Sequence, residues 1–254
     1  MSAEARFDGG QGKMTTGALR IALAGNPNCG KTTVFNAYTG ARQHVGNYPG
    51  VTVDRKEGHV RHGNADITLV DLPGTYSLTA YSMEELVARA ELGSGDVQAV
   101  INVVDASALE RNLLLTVQMM EMGLPVVLVC NMMDEARKAG VHIDMERLSA
   151  MMGIPVVSAV ARTGEGLQQA LGEAVRLAGE GRHQVLELNY GADIDEGLRA
   201  MCAIINREGL LKKYAPHWIA VKLMEGDAEI RKEVHQASSE AAAELDAVRR
   251  KGAE

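Results

Sequence analysis

Gly25-Asn26-Pro27-Asn28-Cys29-Gly30-Lys31-Thr32 carries two glycines and a Lys-Thr pair at the spacing of a phosphate-binding loop. Gly25 and Gly30 permit backbone angles and a close approach that a side chain would block. The loop N–H groups then converge on phosphate oxygens, helped by the N-terminus of the helix that Thr33 enters. The Lys31 ammonium would reach the β- and γ-phosphates, and the Thr32 hydroxyl would bind Mg²⁺. A chance glycine turn would have no reason to hold Lys-Thr in register between an apolar run and a helix. Further on, Asp71-Leu72-Pro73-Gly74 sets a carboxylate and a glycine N–H at the end of a second apolar run. Asp71 would hold Mg²⁺ through water, and the Gly74 N–H would sense the γ-phosphate. Thr52, within Gly50-Val51-Thr52-Val53-Asp54, would complete the metal shell only when that phosphate is present. Its plainer role is a β-branched residue entering a strand.

A phosphate loop does not name the base. Asn131-Met132-Met133-Asp134 closes another apolar run and resembles the Asn-Lys-x-Asp motif of GTPases. The Asp134 carboxylate can accept two hydrogen bonds from guanine, a donor pair that adenine lacks. Asn131 would hold neighbouring loops and the base edge. Met132 replaces the usual Lys; its thioether chain still covers a base face, without the charge. Asn and Asp capping the next turn is the alternative. A last base-contacting loop falls at Val160-Ala161-Arg162-Thr163, counted back from Gly166-Leu167. There the Ala161 N–H would reach the guanine carbonyl. Ser158-Ala159 looks more like the usual Ser-Ala-Lys but lies too early.

These residues need elements to hold them. Leu19 to Ala24 reads as a strand, Lys56–His62 and Asp66–Val70 as a strand pair about Gly63-Asn64. Ala41 to Arg55 reads as a long connection without periodicity. Ser82 with Glu85 forms a capping box for a helix to Leu92. Val97–Val104, Leu124–Cys130 and Ile154–Val160 are apolar runs suited to strands buried on both faces. Helices are expected over Ala108–Met122, Asp144–Met152 and Glu165–Ala178. This alternation predicts an α/β fold with a mostly parallel, doubly wound sheet, its ligand at the carboxyl ends of the strands. Beyond Gly179-Glu180-Gly181-Arg182 the spacing turns helical. Ile194, Leu198, Met201, Cys202 and Ile205 form one stripe, Trp218 a core anchor, and Ala228 to Arg250 a third helix or helical pair. Residues 1–17 read as a disordered tail, 18–180 as the α/β domain and 181–254 as a small helical domain.

The 254 residues carry a formal net charge of -7, which argues against nucleic acid as a partner. Three scattered cysteines at 29, 130 and 202 suit a reducing cytosol. No apolar stretch approaches the roughly 18 residues of a membrane helix, and the opening is too polar for a signal peptide. His59 and His62 have an odd spacing that puts them on opposite faces of a strand.

The wording of the motifs resembles the FeoB ferrous iron transport family. It is carried by Gly25 to Asn36, by Val45-Gly46-Asn47-Tyr48-Pro49-Gly50-Val51-Thr52-Val53-Asp54-Arg55-Lys56-Glu57-Gly58, and by Asp71 to Leu78 with Tyr81-Ser82. The resemblance implies a Ras-like GTPase domain that hydrolyses GTP to GDP. It implies a helical domain that inhibits GDP dissociation, and a membrane permease region that this chain lacks. Such a fragment would be soluble, at the cytoplasmic face of the inner membrane in the full protein, with a homo-oligomer left open. Thr75 stands where many GTPases carry a water-orienting Gln, and relatives lacking that Gln use K⁺. Asn28 matches their K⁺-binding Asn. Lys31, Thr52, Gly74 and Asn28 are then the expected catalytic set. A soluble ribosome-assembly or RNA-modification GTPase, and a non-catalytic GTP/GDP sensor, are the other readings.

Overall fold

The computed structural model describes residues 18–40, 43–181, 186 and 188–251. The expected tail over residues 1–17 lies outside them. The chain begins with β1 (Leu19–Gly25), whose alternate residues are buried on two faces. It continues through α1 (Lys31–Thr39), β2 (Gln43–Asn47), β3 (Asp54–His62), β4 (Ala65–Asp71) and α2 (Met83–Leu92). Next come β5 (Ala99–Asp105), α3 (Leu109–Glu121), β6 (Val126–Asn131), α4 (Met133–Lys138), α5 (Met145–Met152), β7 (Val156–Ser158) and α6 (Leu167–Glu180).

The strands form one seven-stranded sheet in the order β2-β3-β4-β1-β5-β6-β7. From β4 through β7 the neighbours are parallel. Only β2 and β3 run antiparallel to their partners. After β1 the chain goes to the edge at β2, returns through β3 to β4 beside β1, and then crosses to β5 on the other side. The point of reversal is β1, and the loop after its carboxyl end is the phosphate loop, as the topology requires of a binding crevice.

Both faces of the sheet centre are covered, because β1, β5 and β6 are apolar on both sides. Ile21, Leu23, Ile101 and Val103 pack on Val34 and Phe35 of α1 and on Leu167, Leu171 and Ala174 of α6. Ala22, Ala24, Val70 and Val100 pack on Ala88 and Leu92 of α2 and on Leu115 and Met119 of α3. The capping box of α2 is present: Ser82 Oγ accepts from the Glu85 N–H, and the Glu85 carboxylate from the Ser82 N–H.

Two expectations need correction. The connection over Ala41 to Arg55 contains β2, an edge strand whose residues are mostly exposed and so leave no hydrophobic signal. The strand expected over Ile154–Val160 is hydrogen-bonded as β7 for only three residues. Asn131 is followed by α4, a helix of six residues that is too short to show a period.

Beyond α6 the described residues are helical: α7 (Ala192–Glu208), α8 (Pro216–Met224), α9 (Ala228–Ala237) and α10 (Ser239–Lys251). Pro216 opens α8, where its missing N–H costs nothing. Extended Ser238 splits the last segment into a pair. Leu198, Met201 and Ile205 are buried, but Ile194 is 39% exposed, so the apolar stripe starts at Leu198. Trp218 is fully buried. These helices share one core with the α2–α3 side of the sheet. Arg89 of α2 meets Asp227, the N-cap of α9, at 2.6 Å, with both side chains buried. The same guanidinium lies 5.6 Å from the centre of the Trp218 ring. Among the described residues no helix is long and apolar enough to cross a membrane. His59 is exposed while His62 lies under Gly172 of α6, and no metal-ligand group of three or more forms among the described residues.

Candidate functional site

The phosphate loop joins β1 to α1 by a turn that only certain residues tolerate. Asn28 and Gly30 take left-handed backbones at φ 66° and 86°. Asn accepts that region more readily than most side chains. A Cβ on Gly25 would stand 2.5 Å from the Val103 carbonyl, so the loop sits directly on β5. A Cβ on Gly30 would stand 2.3 Å from Asn131 Nδ2. The two glycines are therefore set by tertiary contact as well as by φ.

Asp71 ends β4 opposite Leu23. The parallel pairing runs one step further, from the Leu72 N–H to the Leu23 carbonyl. The Thr75 N–H then donates to the Gly25 carbonyl at 3.3 Å. Gly74 passes so close that a Cβ there would lie 3.5 Å from the Pro27 backbone. These bonds fasten the segment after β4 to the phosphate loop. Lys31 crosses to Asp71 in an ion pair of 2.5 Å, both side chains mostly buried. A cation, a carboxylate and the exposed hydroxyls of Thr32 and Thr33 thus share one end of the sheet.

Asn131 is the brace of the other half. Its side chain is buried, donates from Nδ2 to the Cys29 carbonyl, and accepts at Oδ1 from the Ala161 N–H, each at 2.9 Å. One amide therefore ties the phosphate loop to the loop after β7. The Ala161 N–H is already engaged, so a ligand carbonyl would have to share it. The adjacent Arg162 N–H makes no hydrogen bond among the described residues. Ser158-Ala159 is committed elsewhere, since the Ala159 N–H donates to the Cys130 carbonyl within the sheet. Met132 takes φ 61°, and its methyl carbon lies 3.5 Å from the position of a Gly30 Cβ. It lies against the phosphate loop. Asp134 opens α4 and pairs with the exposed Arg162 guanidinium at 2.8 Å.

Several expected contact residues are core residues. The side chains of Asn26, Cys29, Leu72, Val53, Met133 and Val160 are at most 9% exposed. They shape the loops and leave only their backbone for a ligand. Burial pushes the Cys29 thiol up to about 11, so it stays a neutral thiol. The Asn26 amide is buried with no hydrogen-bond partner among the described residues. Thr52 is not brought to the phosphate loop. It stands exposed beyond a turn closed from the Val51 N–H to the Tyr48 carbonyl, with Gly50 at φ 77° and Asp54 exposed beyond it. That turn is anchored by Tyr48 and Val53 on Val87 of α2. Pro73 is half-buried and Thr163 exposed in their loops. Reading residue types missed the Arg89–Asp227 pair, which spans 138 positions and has no local signal.

A phosphate loop at the switch point, an acidic strand end tied to it and an Asn-x-x-Asp turn braced against both define the class. This is a Ras-like GTPase fold followed by helices. The profile of the family described as ferrous iron transport protein B matches residues 19–174, and that of the FeoB cytosolic helical domain matches residues 190–254. An Fe(2+) transport protein A/FeoB fusion protein of Porphyromonas gingivalis is 49% identical over 219 residues, 84% of this chain and 26% of the relative. The Fe(2+) transporter FeoB of Shigella flexneri is 41% identical over 91% of this chain and 30% of its own length. Among solved structures, a GDP-bound S. thermophilus NFeoB superimposes with a TM-score of 0.85 at 36% identity, covering 93% of this chain and 89% of the other. The GMPPNP form of the T. maritima FeoB cytosolic domain gives 0.81 at 36% identity, covering 92% and 94%. The chain belongs to the FeoB family, and it spans about a quarter to a third of the length of the curated relatives it matches.

Proposed function

We propose that this chain binds and hydrolyses GTP and regulates ferrous iron passage through a permease region at the cytoplasmic face of a membrane. The observation that carries the reading is the Asn131 bridge between the phosphate loop and the Ala161 loop. It supports a single site in which phosphates and base are held by one framework. The similar S. thermophilus and T. maritima proteins were solved with GDP and with GMPPNP, which supports the choice of nucleotide.

In this reading the N–H groups from Asn26 to Thr33 cradle the phosphates. Lys31 leaves Asp71 for the β- and γ-phosphates, and the Gly74 N–H meets the terminal phosphate. The oxygens of Thr32 and Asp71 suit the hard, oxygen-preferring Mg²⁺, and Thr52 joins them once its turn moves inward. Asn28 is exposed with its amide oxygen unengaged, which suits K⁺. Held by these residues, such ions would supply neutralising charge where negative charge develops between the β- and γ-phosphates. Asp134 reads guanine after exchanging Arg162 for the base, and Arg162 then lies over the pocket mouth. Residues 18–180 act as the nucleotide domain and 181–254 as the helical domain that slows GDP release.

Lys31→Ala tests the assignment. The ammonium is a phosphate ligand, so GTP affinity and turnover should collapse while the circular dichroism spectrum stays unchanged. Unaltered GTP affinity by calorimetry would remove the phosphate loop from the site.

A further inference from the structure

An open pocket of about 420 Å³ lies between α7, α8, α9 and α10. Its volume falls within the range of small-molecule pockets. The floor is apolar, with Met201, Leu223, Val234 and Leu245 each at most 4% exposed. The rim is cationic. Arg231, Lys232 and Arg249 line it, and Asp246 is the one carboxylate that does. Arg231 takes Asp246 at 2.9 Å. Arg249 Nε stands 4.0 Å from the same carboxylate and is buried without a hydrogen-bond partner among the described residues, while the side chain as a whole is 34% exposed. Three cations thus face one acid, in a chain whose net charge is -7. A buried guanidinium N–H without an acceptor is costly. These cations reach solvent and at the same time rim an apolar floor.

We propose that this cavity binds a phosphate ester carrying an apolar body, with the phosphate at Arg249 and Lys232 and the body on the floor. The planar guanidinium matches a phosphate oxygen pair. Two sources share this chemistry: the headgroup region of an anionic phospholipid, and a free phosphorylated metabolite. The site is separate from the nucleotide site and does not depend on the GTPase reading.

The test uses the full 254-residue chain. Calorimetry measures dihexanoyl phosphatidic acid and phenyl phosphate. Co-sedimentation measures vesicles of phosphatidylcholine with and without phosphatidylglycerol. The double variant Lys232→Gln, Arg249→Gln removes two rim charges. Ala242→Phe fills the cavity from α10. Arg61→Gln, an exposed cation on β3, controls for general charge attraction. Both cavity variants should weaken binding about tenfold or more, as the loss of a charge-assisted contact implies, and the control should not. GTP binding, followed in the same samples, should be unchanged. Binding to the soluble probes alone identifies a free metabolite, and binding to anionic vesicles as well identifies a lipid; either supports the site. The proposal is overturned if no probe binds, if the folded double variant binds as well as the parent, or if Arg61→Gln weakens binding equally.

Discussion

Asp227→Ala should destabilise the whole chain by about 4–6 kcal/mol. The Asp227 carboxylate does three things at once. It pairs with the buried Arg89 guanidinium through both oxygens, at 2.6 and 3.3 Å. Its Oδ1 also caps α9 by accepting from the Ile230 N–H at 2.9 Å. And it helps hold Arg89 near the Trp218 ring. Removing one partner of a buried ion pair costs about 3–5 kcal/mol, because the other charge is left without water or counter-charge. Losing an N-cap adds about 1 kcal/mol. The sum is a large part of the roughly 5–15 kcal/mol that holds an ordinary domain folded. Trp218 is the only tryptophan and is fully buried beside the pair, so its emission reports on this interface directly. Urea unfolding followed by that emission measures the change. Asp227→Asn keeps the cap and one acceptor and should lose about half as much. If Asp227→Ala stayed within about 1 kcal/mol of the parent, the pair would be a surface-like contact and its role in joining α2 to α9 would be wrong.

Asp134→Asn should weaken GTP binding on the order of a hundredfold and shift preference toward xanthine nucleotides, since one acceptor becomes a donor; competition with xanthosine triphosphate checks this. Replacing K⁺ by Na⁺ should slow GTP hydrolysis on the order of 10²–10³-fold, and Asn28→Ala should remove the difference while Mg²⁺-dependent binding persists; equal turnover in matched KCl and NaCl would discard the ion. Gly30→Ala should lower stability by about 2 kcal/mol and disturb nucleotide binding. Its Cβ would strike Asn131 Nδ2 and its φ is left-handed; melting temperature and calorimetry measure both effects.

The strand-loop-helix order around Gly25 was legible because buried parallel strands are apolar throughout and their loops carry glycine. The capping box at Ser82 was legible because it is a local hydrogen-bond exchange. β2 was not: Gln43 to Asn47 pairs with β3 by backbone alone and buries almost nothing. The site divides the same way. Motif residues are marked by type, but which of them turn inward is decided by packing. Met133 and Val160 join the core formed with Val104 and Ala136, a contact between distant segments. The pairing of Asp134 with Arg162 belongs to that class too, since each residue has an equally plausible solvated role.

The boundary between the two family profiles falls between residues 174 and 190, yet the apolar core does not divide there. Tyr214 lies so close to Gly93 that a Cβ on that glycine would meet its ring at 2.3 Å. Leu186 donates its N–H to the carbonyl of Met120 in α3. Leu92, Met122 and Leu124 lie in the same cluster as Ile219 and Leu223. A truncation after α6 would therefore uncover the apolar outer surface of α2, α3 and the segments beside them. The released fragment would carry a sticky apolar face and would aggregate, while the helices removed would lose their folding template. Insertion or deletion between these parts is constrained by a shared interior.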